Sequence, residues 1–354
     1  MPANKKKIAS SNIFNEQKFL VVFPSALGDS VLCSTVIDKI GFATKNQKNI
    51  FVATLPYVVN LFNEVKDIAM AFSYEEFPEL LWETIFDWVI DLSGLEYYKL
   101  LGDKLQSRQI IYRKFNKWEE IIVQNRTEKY KVIDSLFNLS KNSNLLGHLP
   151  VWLEESASLV AHALGDDPLD WLNGKTRPSI KLKNETILEK QNAANEIIFL
   201  PCGDWEAKRW PEEYWIDLSS LLKKEGFDII LVLGPKEQKK YRQLKKVVNQ
   251  CYISTNLIEL ITIISFRKLI ISNDCGPLHI GAAIGMPCIS IFGPTNPYKW
   301  FWYHNQYQLF VQTEESYQRS SDIGWNVNRE KVWKYWPSEN QVYEKAMAVL
   351  SKAD

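Results

Sequence analysis

The chain has 354 residues, of which 46% are hydrophobic and 24% are charged, with 42 basic residues against 42 acidic ones. This length is too great for one comfortable core and suits two domains of a soluble protein. The balanced charge excludes a global field that would attract nucleic acid.

The five cysteines are odd in number and never spaced as Cys-x-x-Cys. This argues against a disulfide framework or a zinc site and favours a reducing compartment. Residues 1–17 are polar and lack the apolar segment of a signal peptide, and no apolar run approaches 18 residues. We therefore expect a cytoplasmic protein with a polar N-terminal tail over residues 1–17.

Strands alternate with helices in the first half of the chain. The apolar runs predict three strands, and a helix begins at Gly28-Asp29-Ser30. The strands are Phe19 to Phe23, Ile50 to Thr54 and Trp88 to Leu92. Such alternation indicates a parallel sheet covered on both faces. From residue 104 the pattern gives way to a charged, aromatic region.

The same alternation restarts after a linker at about 171–184. It predicts strands at Ile197 to Leu200, Ile229 to Leu233, Leu269 to Ile271 and Pro287 to Phe292. It predicts helices at 211–225, 236–249, 257–264, from Gly276, and at 338–352. The fold class is therefore α/β, with two Rossmann-like domains facing a central cleft. We place the domains at 18–180 and 181–336, and expect the helix of 337–354 to pack back on the first domain.

The segment Asn273 through His279 links a buried strand to a helix that opens at Gly276-Pro277. A helix N-terminus beside the end of a strand offers backbone N–H groups and a positive dipole end, which suit a phosphate. Pro277 fits a first-turn position. The alternative is an ordinary βαβ turn that binds nothing.

Three further places follow the carboxyl ends of predicted strands, where open parallel sheets bind ligands. Asp29 is a candidate general base, or else a structural N-cap. The pair Lys208-Arg209 suits a diphosphate, although such pairs are usually solvated surface. Glu237 suits ribose hydroxyls, or else complements a helix dipole.

Several motifs are missing from the chain. There is no Gly-x-Gly-x-x-Gly after a strand, no P-loop and no Asp-x-Asp pair, and the four histidines lack metal-ligand spacing. We therefore expect no NAD, no metal and no other cofactor.

In the order and context of its motifs, the chain resembles glycosyltransferase family 9, the ADP-heptose:lipopolysaccharide heptosyltransferases of GT-B fold. The motifs are Leu27-Gly28-Asp29, Lys208-Arg209-Trp210-Pro211, Gly234-Pro235-x-Glu237, Asn273-Asp274-x-Gly276-Pro277-x-His279 and Phe292-Gly293-Pro294-Thr295-x-Pro297. Cys275 departs from the small hydroxyl residue usual in the family.

The resemblance implies an inverting, metal-independent transfer of a heptose or related sugar from a nucleotide diphosphate such as ADP-heptose to a lipopolysaccharide inner-core sugar. It makes Asp29 the catalytic base. The donor would be bound by Lys208, Arg209, Glu237, Asp274, Cys275, Gly276, Pro277 and His279. No metal ligand is implied.

The sequence contains weaker signals for the residues that bind the acceptor. Residues 104–131 carry a local excess of five positive charges among aromatic residues, which would attract an anionic glycolipid at the membrane surface. The alternative is a solvated helical face. We expect the acceptor to be bound by Ser25, Gly28, Arg113, Lys114 and Lys117, with peripheral contact to the inner membrane.

Three other functions remain open from the sequence. One is the same chemistry with another donor or with a protein acceptor of the autotransporter type. A nucleotide-sugar epimerase is another, and a non-catalytic homologue that binds a nucleotide sugar is the third. Only Asp29 stands out as an acid–base group, which favours transfer over epimerisation.

Overall fold

The computed structural model describes residues 17–43, 49–113, 121–124, 160–161, 164, 178–184, 195–297, 307–316 and 334–352. They form two compact units, each built on a six-stranded sheet. The described residues from 178 onward belong to the second unit. Residues 26–32, which the sequence places in the first domain, also group with the second unit. No helix in these ranges combines the length and apolarity needed to cross a membrane.

The first sheet has the strand order β3-β2-β1-β4-β5-β6 and is parallel except for the pair β5–β6. Its strands are β1 (Phe19–Val22), β2 (Ile50–Thr54), β3 (Ile68–Ser73), β4 (Ile85–Asp91), β5 (Gln106–Arg113) and β6 (Ile121–Gln124). Its helices are α1 (Leu27–Ala43) and α2 (Val59–Asn63). All four residues of β1 are buried because strands that lie inside a parallel sheet are covered on both faces. The three predicted strands are confirmed, and β3, β5 and β6 are additions.

The second sheet has the order β12-β11-β10-β7-β8-β9 and is parallel throughout. Its strands are β7 (Glu196–Leu200), β8 (Asp228–Leu233), β9 (Gln250–Ile253), β10 (Leu269–Asn273), β11 (Cys288–Ile291) and β12 (Gln308–Val311). Its helices are α3 (Glu212–Lys224), α4 (Leu244–Val247), α5 (Leu257–Ile264), α6 (Gly276–Ala283) and α7 (Glu339–Leu350). This is the order of a doubly wound sheet, and the winding reverses between β7 and β10.

The helix predicted over 236–249 is wrong. The structure has a short 3-10 turn at Pro235–Glu237, then α4, then β9. Tyr241 has a φ of 54°, which no helix accommodates, and its hydroxyl donates a hydrogen bond to the Pro201 carbonyl. The side chain of Glu212 accepts hydrogen bonds from the backbone at the start of α4, at 2.9 Å each. These tertiary contacts override the helix propensity of the lysine-rich segment.

Helix α7, which the sequence predicted to pack back on the first domain, packs within the second unit. Its apolar stripe joins the core of the second sheet, and the helix contacts α3, β11 and β12. The stripe consists of Val342, Ala346, Val349 and Leu350. Ala346 follows Val342 by four residues, and Val349 and Leu350 follow Ala346 by three and four, so they share one face of the helix. Ser338 and Gln341 form a capping box at its start.

The segment before α7 is tied to two loops of the second unit. Trp210, which is almost completely buried, donates its indole N–H to the Pro337 carbonyl at 2.9 Å. The ring of Trp336 lies on Gly293, where a Cβ atom would come within 2.5 Å of it. The loops after β7 and β11 therefore depend on residues near the C-terminal end of the described chain.

Candidate donor and acid–base site

Two loops meet where the winding of the second sheet reverses. One follows β7 and contains Pro201 through Pro211, and the other follows β10. Asn273, fully buried at the end of β10, donates its side-chain amide to the Pro201 carbonyl at 2.7 Å. Its side-chain oxygen accepts the backbone N–H of Trp210 at 3.2 Å. Because this crevice is where doubly wound sheets bind ligands, the loops are placed to receive one.

Asp274 is the centre of a charged cluster at this edge. Its Oδ2 atom lies 2.7 Å from Lys208 Nζ and accepts the hydroxyl of Thr295 at 2.7 Å. Its Oδ1 atom lies 3.9 Å from His279 Nε2. Burial alone raises the pKa of Asp274, but Lys208 and His279 outweigh it and hold the pKa below its ordinary value. Asp274 is therefore a buried, ionised carboxylate.

The start of α1 lies against the start of α6. A Cβ atom on Gly276 would come within 2.7 Å of the Leu27 side chain, and one on Gly28 would come within 2.9 Å of the His279 ring. The missing side chains of the two glycines allow this approach.

Asp29 lies in the first turn of α1, next to Gly28. Burial raises its pKa from 3.8 to about 6, and Asp274 adds to the rise, whereas His279 and Lys208 oppose it. Asp29 is therefore within electrostatic reach of the whole cluster. A carboxylate that titrates near neutral pH is a stronger base than an ordinary aspartate. The site thus brings the first turn of α6, the Lys208–Asp274 ion pair and the Asp29 carboxylate together.

The profile of glycosyltransferase family 9 (heptosyltransferase) matches residues 134–324, more than half of the chain. The chain belongs to glycosyltransferase family 9. The resemblance drawn from the sequence motifs is thereby confirmed.

Curated relatives in family 9 match over a part of their length. Lipopolysaccharide heptosyltransferase 1 of Pseudomonas aeruginosa is 28% identical over 148 residues, 41% of this chain and 40% of the relative. Lipopolysaccharide heptosyltransferase 1 of Escherichia coli is 31% identical over 111 residues, 30% of this chain and 34% of the relative. The chain thus aligns with two fifths or less of these relatives.

Solved structures of family 9 proteins share the fold. ADP-heptose lipopolysaccharide heptosyltransferase II of E. coli superposes with a TM-score of 0.69 at 16% identity, covering 95% of this chain and 99% of that one. E. coli heptosyltransferase WaaC, solved with ADP, gives a TM-score of 0.65 at 19% identity, covering 87% and 98%. The α/β fold of this chain is that of the GT-B heptosyltransferases.

In the structure, the side chains of Arg209 and Lys208 bind different partners. The Arg209 Nε atom donates to the Gly203 carbonyl at 2.7 Å, and an Nη atom lies 3.4 Å from the Asp204 carbonyl oxygen. Burial raises the pKa of the Tyr241 hydroxyl, and the nearby Arg209 opposes that rise. Arg209 thus braces its own loop, while Lys208 reaches Asp274. The side chain of Asp204 is exposed.

Glu237 lies at the carboxyl end of β8, beside β7. Its carboxylate turns back over Gly234, where a Cβ atom would come within 2.9 Å of Oε2. The side chain is almost fully buried. It therefore stands at the sheet edge that also carries Lys208 and Asp274.

Cys275 is the residue before α6, and Pro277 occupies the first turn of that helix as expected. The Cys275 thiol lies 3.3 Å from the Ser272 hydroxyl, and burial raises its pKa to about 11. The thiol is therefore neutral at physiological pH and adds no negative charge to the site.

The expected acceptor residues are only partly described. Ser25 is exposed and belongs to the first unit. Gly28 lies against His279, so its lack of a side chain serves helix packing. Arg113 ends β5, but its side chain, and the whole of Lys114 and Lys117, lie outside the described residues.

Two residues at the site were given no role by the sequence analysis. Asn273 ties the loops together, and Thr295 bonds to Asp274. Both stand inside the motifs that carry the family resemblance. A motif shows which residues matter, but their partners come from different strands and emerge only in the folded chain.

Within the described ranges, no group of three or more His, Cys, Asp or Glu side chains is placed to hold a metal ion. The absence of a metal from the reaction stays a prediction.

Proposed function

We propose that this protein transfers a heptose from ADP-heptose to an inner-core sugar of lipopolysaccharide, without a metal and with inversion at the anomeric carbon. The observation that carries the proposal is the close approach of Gly28, the neighbour of Asp29, to the ring of His279 on α6. The charges of Lys208, His279 and Asp274 also act on Asp29. The relatives named as lipopolysaccharide heptosyltransferases support the choice of sugar and acceptor. The solved complex of WaaC with ADP supports the choice of nucleotide.

The donor half of the site would stabilise the leaving group. A nucleoside diphosphate leaves readily once its developing negative charge is neutralised. The first-turn N–H groups of α6 have no partner inside the helix, and its dipole is positive at that end. Lys208 adds a positive charge, which its ion pair with Asp274 partly neutralises. These groups hold the diphosphate and favour bond cleavage.

The acceptor half would supply the base. At neutral pH the Asp29 carboxylate, with a pKa of about 6, is mostly ionised and still basic enough to take a proton. It would accept the proton of the acceptor hydroxyl as the new glycosidic bond forms. Direct attack opposite the leaving diphosphate gives inversion, as in inverting glycosidases.

The remaining predicted residues complete this assignment. Glu237 would accept hydrogen bonds from the ribose hydroxyls, which fits its place at the end of β8. Arg209 would shape the loop that presents Lys208. Ser25, Arg113, Lys114 and Lys117 would bind the anionic acceptor, with the protein working at the cytoplasmic face of the inner membrane.

The test is transfer by the purified protein from ADP-heptose to heptose-deficient lipopolysaccharide, followed by mass spectrometry. The wild-type protein should add one heptose, and chelation with EDTA should leave the rate unchanged. Asp29→Asn should lose at least about 100-fold in rate, the usual contribution of a general base. The matched control is Asp217→Asn, an exposed aspartate on α3, which should keep its rate.

The other outcomes are equally specific. ADP binding without any transfer, to lipopolysaccharide or to protein, would favour a non-catalytic homologue. An epimerised free donor would favour an epimerase, and full activity of Asp29→Asn would remove Asp29 from the mechanism.

A further inference from the structure

We propose that Thr295 is a positioning residue for the donor. Its hydroxyl donates a hydrogen bond to Asp274, and this leaves N–H groups of Lys208 available to the diphosphate. This inference rests on the proposed function and goes beyond it, because it assigns a role to the turn after β11.

Asp274 Oδ2 receives two donors. The Lys208 ammonium and the Thr295 hydroxyl both lie 2.7 Å from it. A lysine ammonium has three N–H donors, and one of them is directed at this oxygen. The Lys208 side chain is 22% exposed, whereas that of Asp274 is 4% exposed. Lys208 thus reaches from the buried carboxylate toward solvent, where a diphosphate can meet its other N–H groups.

Side chains from later in the chain hold the turn that carries Thr295 in place. The Gln312 amide donates to the carbonyls of Gly293 and Thr295 at 2.8 and 2.9 Å. The Ser316 hydroxyl donates to the Gly293 carbonyl at 2.6 Å, and the Trp336 ring lies on Gly293. These bonds fix the backbone of the turn, which keeps the Thr295 hydroxyl within hydrogen-bond distance of Asp274.

Loss of this hydroxyl leaves a lone pair of a buried carboxylate without its donor. A buried acceptor without a partner is costly, and the nearest remaining donors belong to Lys208. The ammonium would turn a second N–H toward Asp274 and away from the diphosphate. Donor affinity should fall although Lys208 itself is unchanged.

The experiment measures ADP binding by calorimetry to Thr295→Val, which keeps the shape and removes the hydroxyl. We expect an affinity about tenfold weaker than wild type, ~1.4 kcal/mol, and recovery in Thr295→Ser. The matched control is Thr262→Val, on α5, where the hydroxyl bonds to the Ile258 carbonyl. It should bind ADP like wild type.

A double-mutant cycle separates positioning from general loosening of the fold. In a Lys208→Met background, Thr295→Val should change ADP affinity less than about twofold. An equal loss in both backgrounds, an unchanged affinity of Thr295→Val, or no recovery with Thr295→Ser would overturn the inference and leave the proposed function standing. Failure of the wild-type protein to bind ADP would instead overturn the proposed function, and this inference with it.

Discussion

The substitution Asp29→Asn should make the protein more stable while abolishing transfer. In the folded protein, burial raises the Asp29 pKa from 3.8 to about 6. The folded state therefore binds this proton more tightly than the unfolded state does. An asparagine resembles the neutral acid in size and carries no charge, so it removes the cost of holding a partly buried carboxylate ionised.

The magnitude follows from the difference between the two pKa values. Each pKa unit corresponds to 1.36 kcal/mol, so the rise from 3.8 to about 6 amounts to ~3 kcal/mol. Below pH 3.8 Asp29 is protonated in both states, and its tighter proton binding in the fold is fully stabilising. Between these pH values the folded state binds more protons, so wild-type stability falls as the pH rises. The advantage of Asp29→Asn should be ~2 kcal/mol at about pH 5 and ~3 kcal/mol above pH 7.

Urea unfolding of wild type and variant, compared at several pH values, measures this difference directly. Tryptophan fluorescence follows unfolding of both units, because Trp88 is buried in the first and Trp210 and Trp215 are buried in the second. All other titrating groups are the same in the two proteins, so their contributions cancel in the difference between the two free energies of unfolding. The exposed Asp217→Asn serves as control and should show no pH-dependent gain.

A variant no more stable than wild type above pH 7 would refute the reasoning, as would a gain of equal size at every pH. Either result would mean that the Asp29 carboxylate is as well solvated in the fold as in the unfolded chain. The base assignment would then lose its physical basis.

Three further predictions concern the same site. The pH dependence of kcat/KM for the acceptor should have an acidic limb near pH 6, because activity requires ionised Asp29 and falls as that carboxylate is protonated; a limb near pH 4 would contradict this. Gly293→Ala should destabilise the protein by ~1–3 kcal/mol, since its Cβ would meet Trp336 at 2.5 Å; thermal unfolding checks it, and an unchanged melting temperature would speak against this packing. Lys208→Met should weaken ADP binding, measured by calorimetry, by at least about tenfold. The control Lys239→Met, at an exposed lysine, should not weaken it. Equal effects of the two substitutions would mean that Lys208 contributes only non-specifically.

The sequence predicted most of the strands because buried parallel strands are continuous apolar runs. It missed β3, β5, β6, β9 and β12. In β3, for example, the Ile-Ala-Met-Ala-Phe-Ser run mixes strand and helix formers. It also predicted a helix over 236–249, where Tyr241 and Glu212 impose another path through tertiary contacts. Local propensity cannot register a partner 30 or 40 residues away.

At the site, the sequence indicated Asp29, Lys208 and Asp274 because each follows the carboxyl end of a strand. It could not separate Lys208 from Arg209, since neighbouring side chains point in different directions only once the loop is folded. Nor could it show that Gly28 makes room for His279. Those distinctions depend on contacts between segments that lie far apart in the chain.

The ties between Trp210, Trp336 and the segment before α7 bear on how the protein can be shortened. A version ending before residue 334 would lose the Pro337 carbonyl that accepts the Trp210 indole N–H, and the ring that covers Gly293. The Trp210 indole N–H would then lack its acceptor, and Gly293 would lose its cover. Expression of the second unit for crystallisation or screening should therefore retain α7 through Leu350.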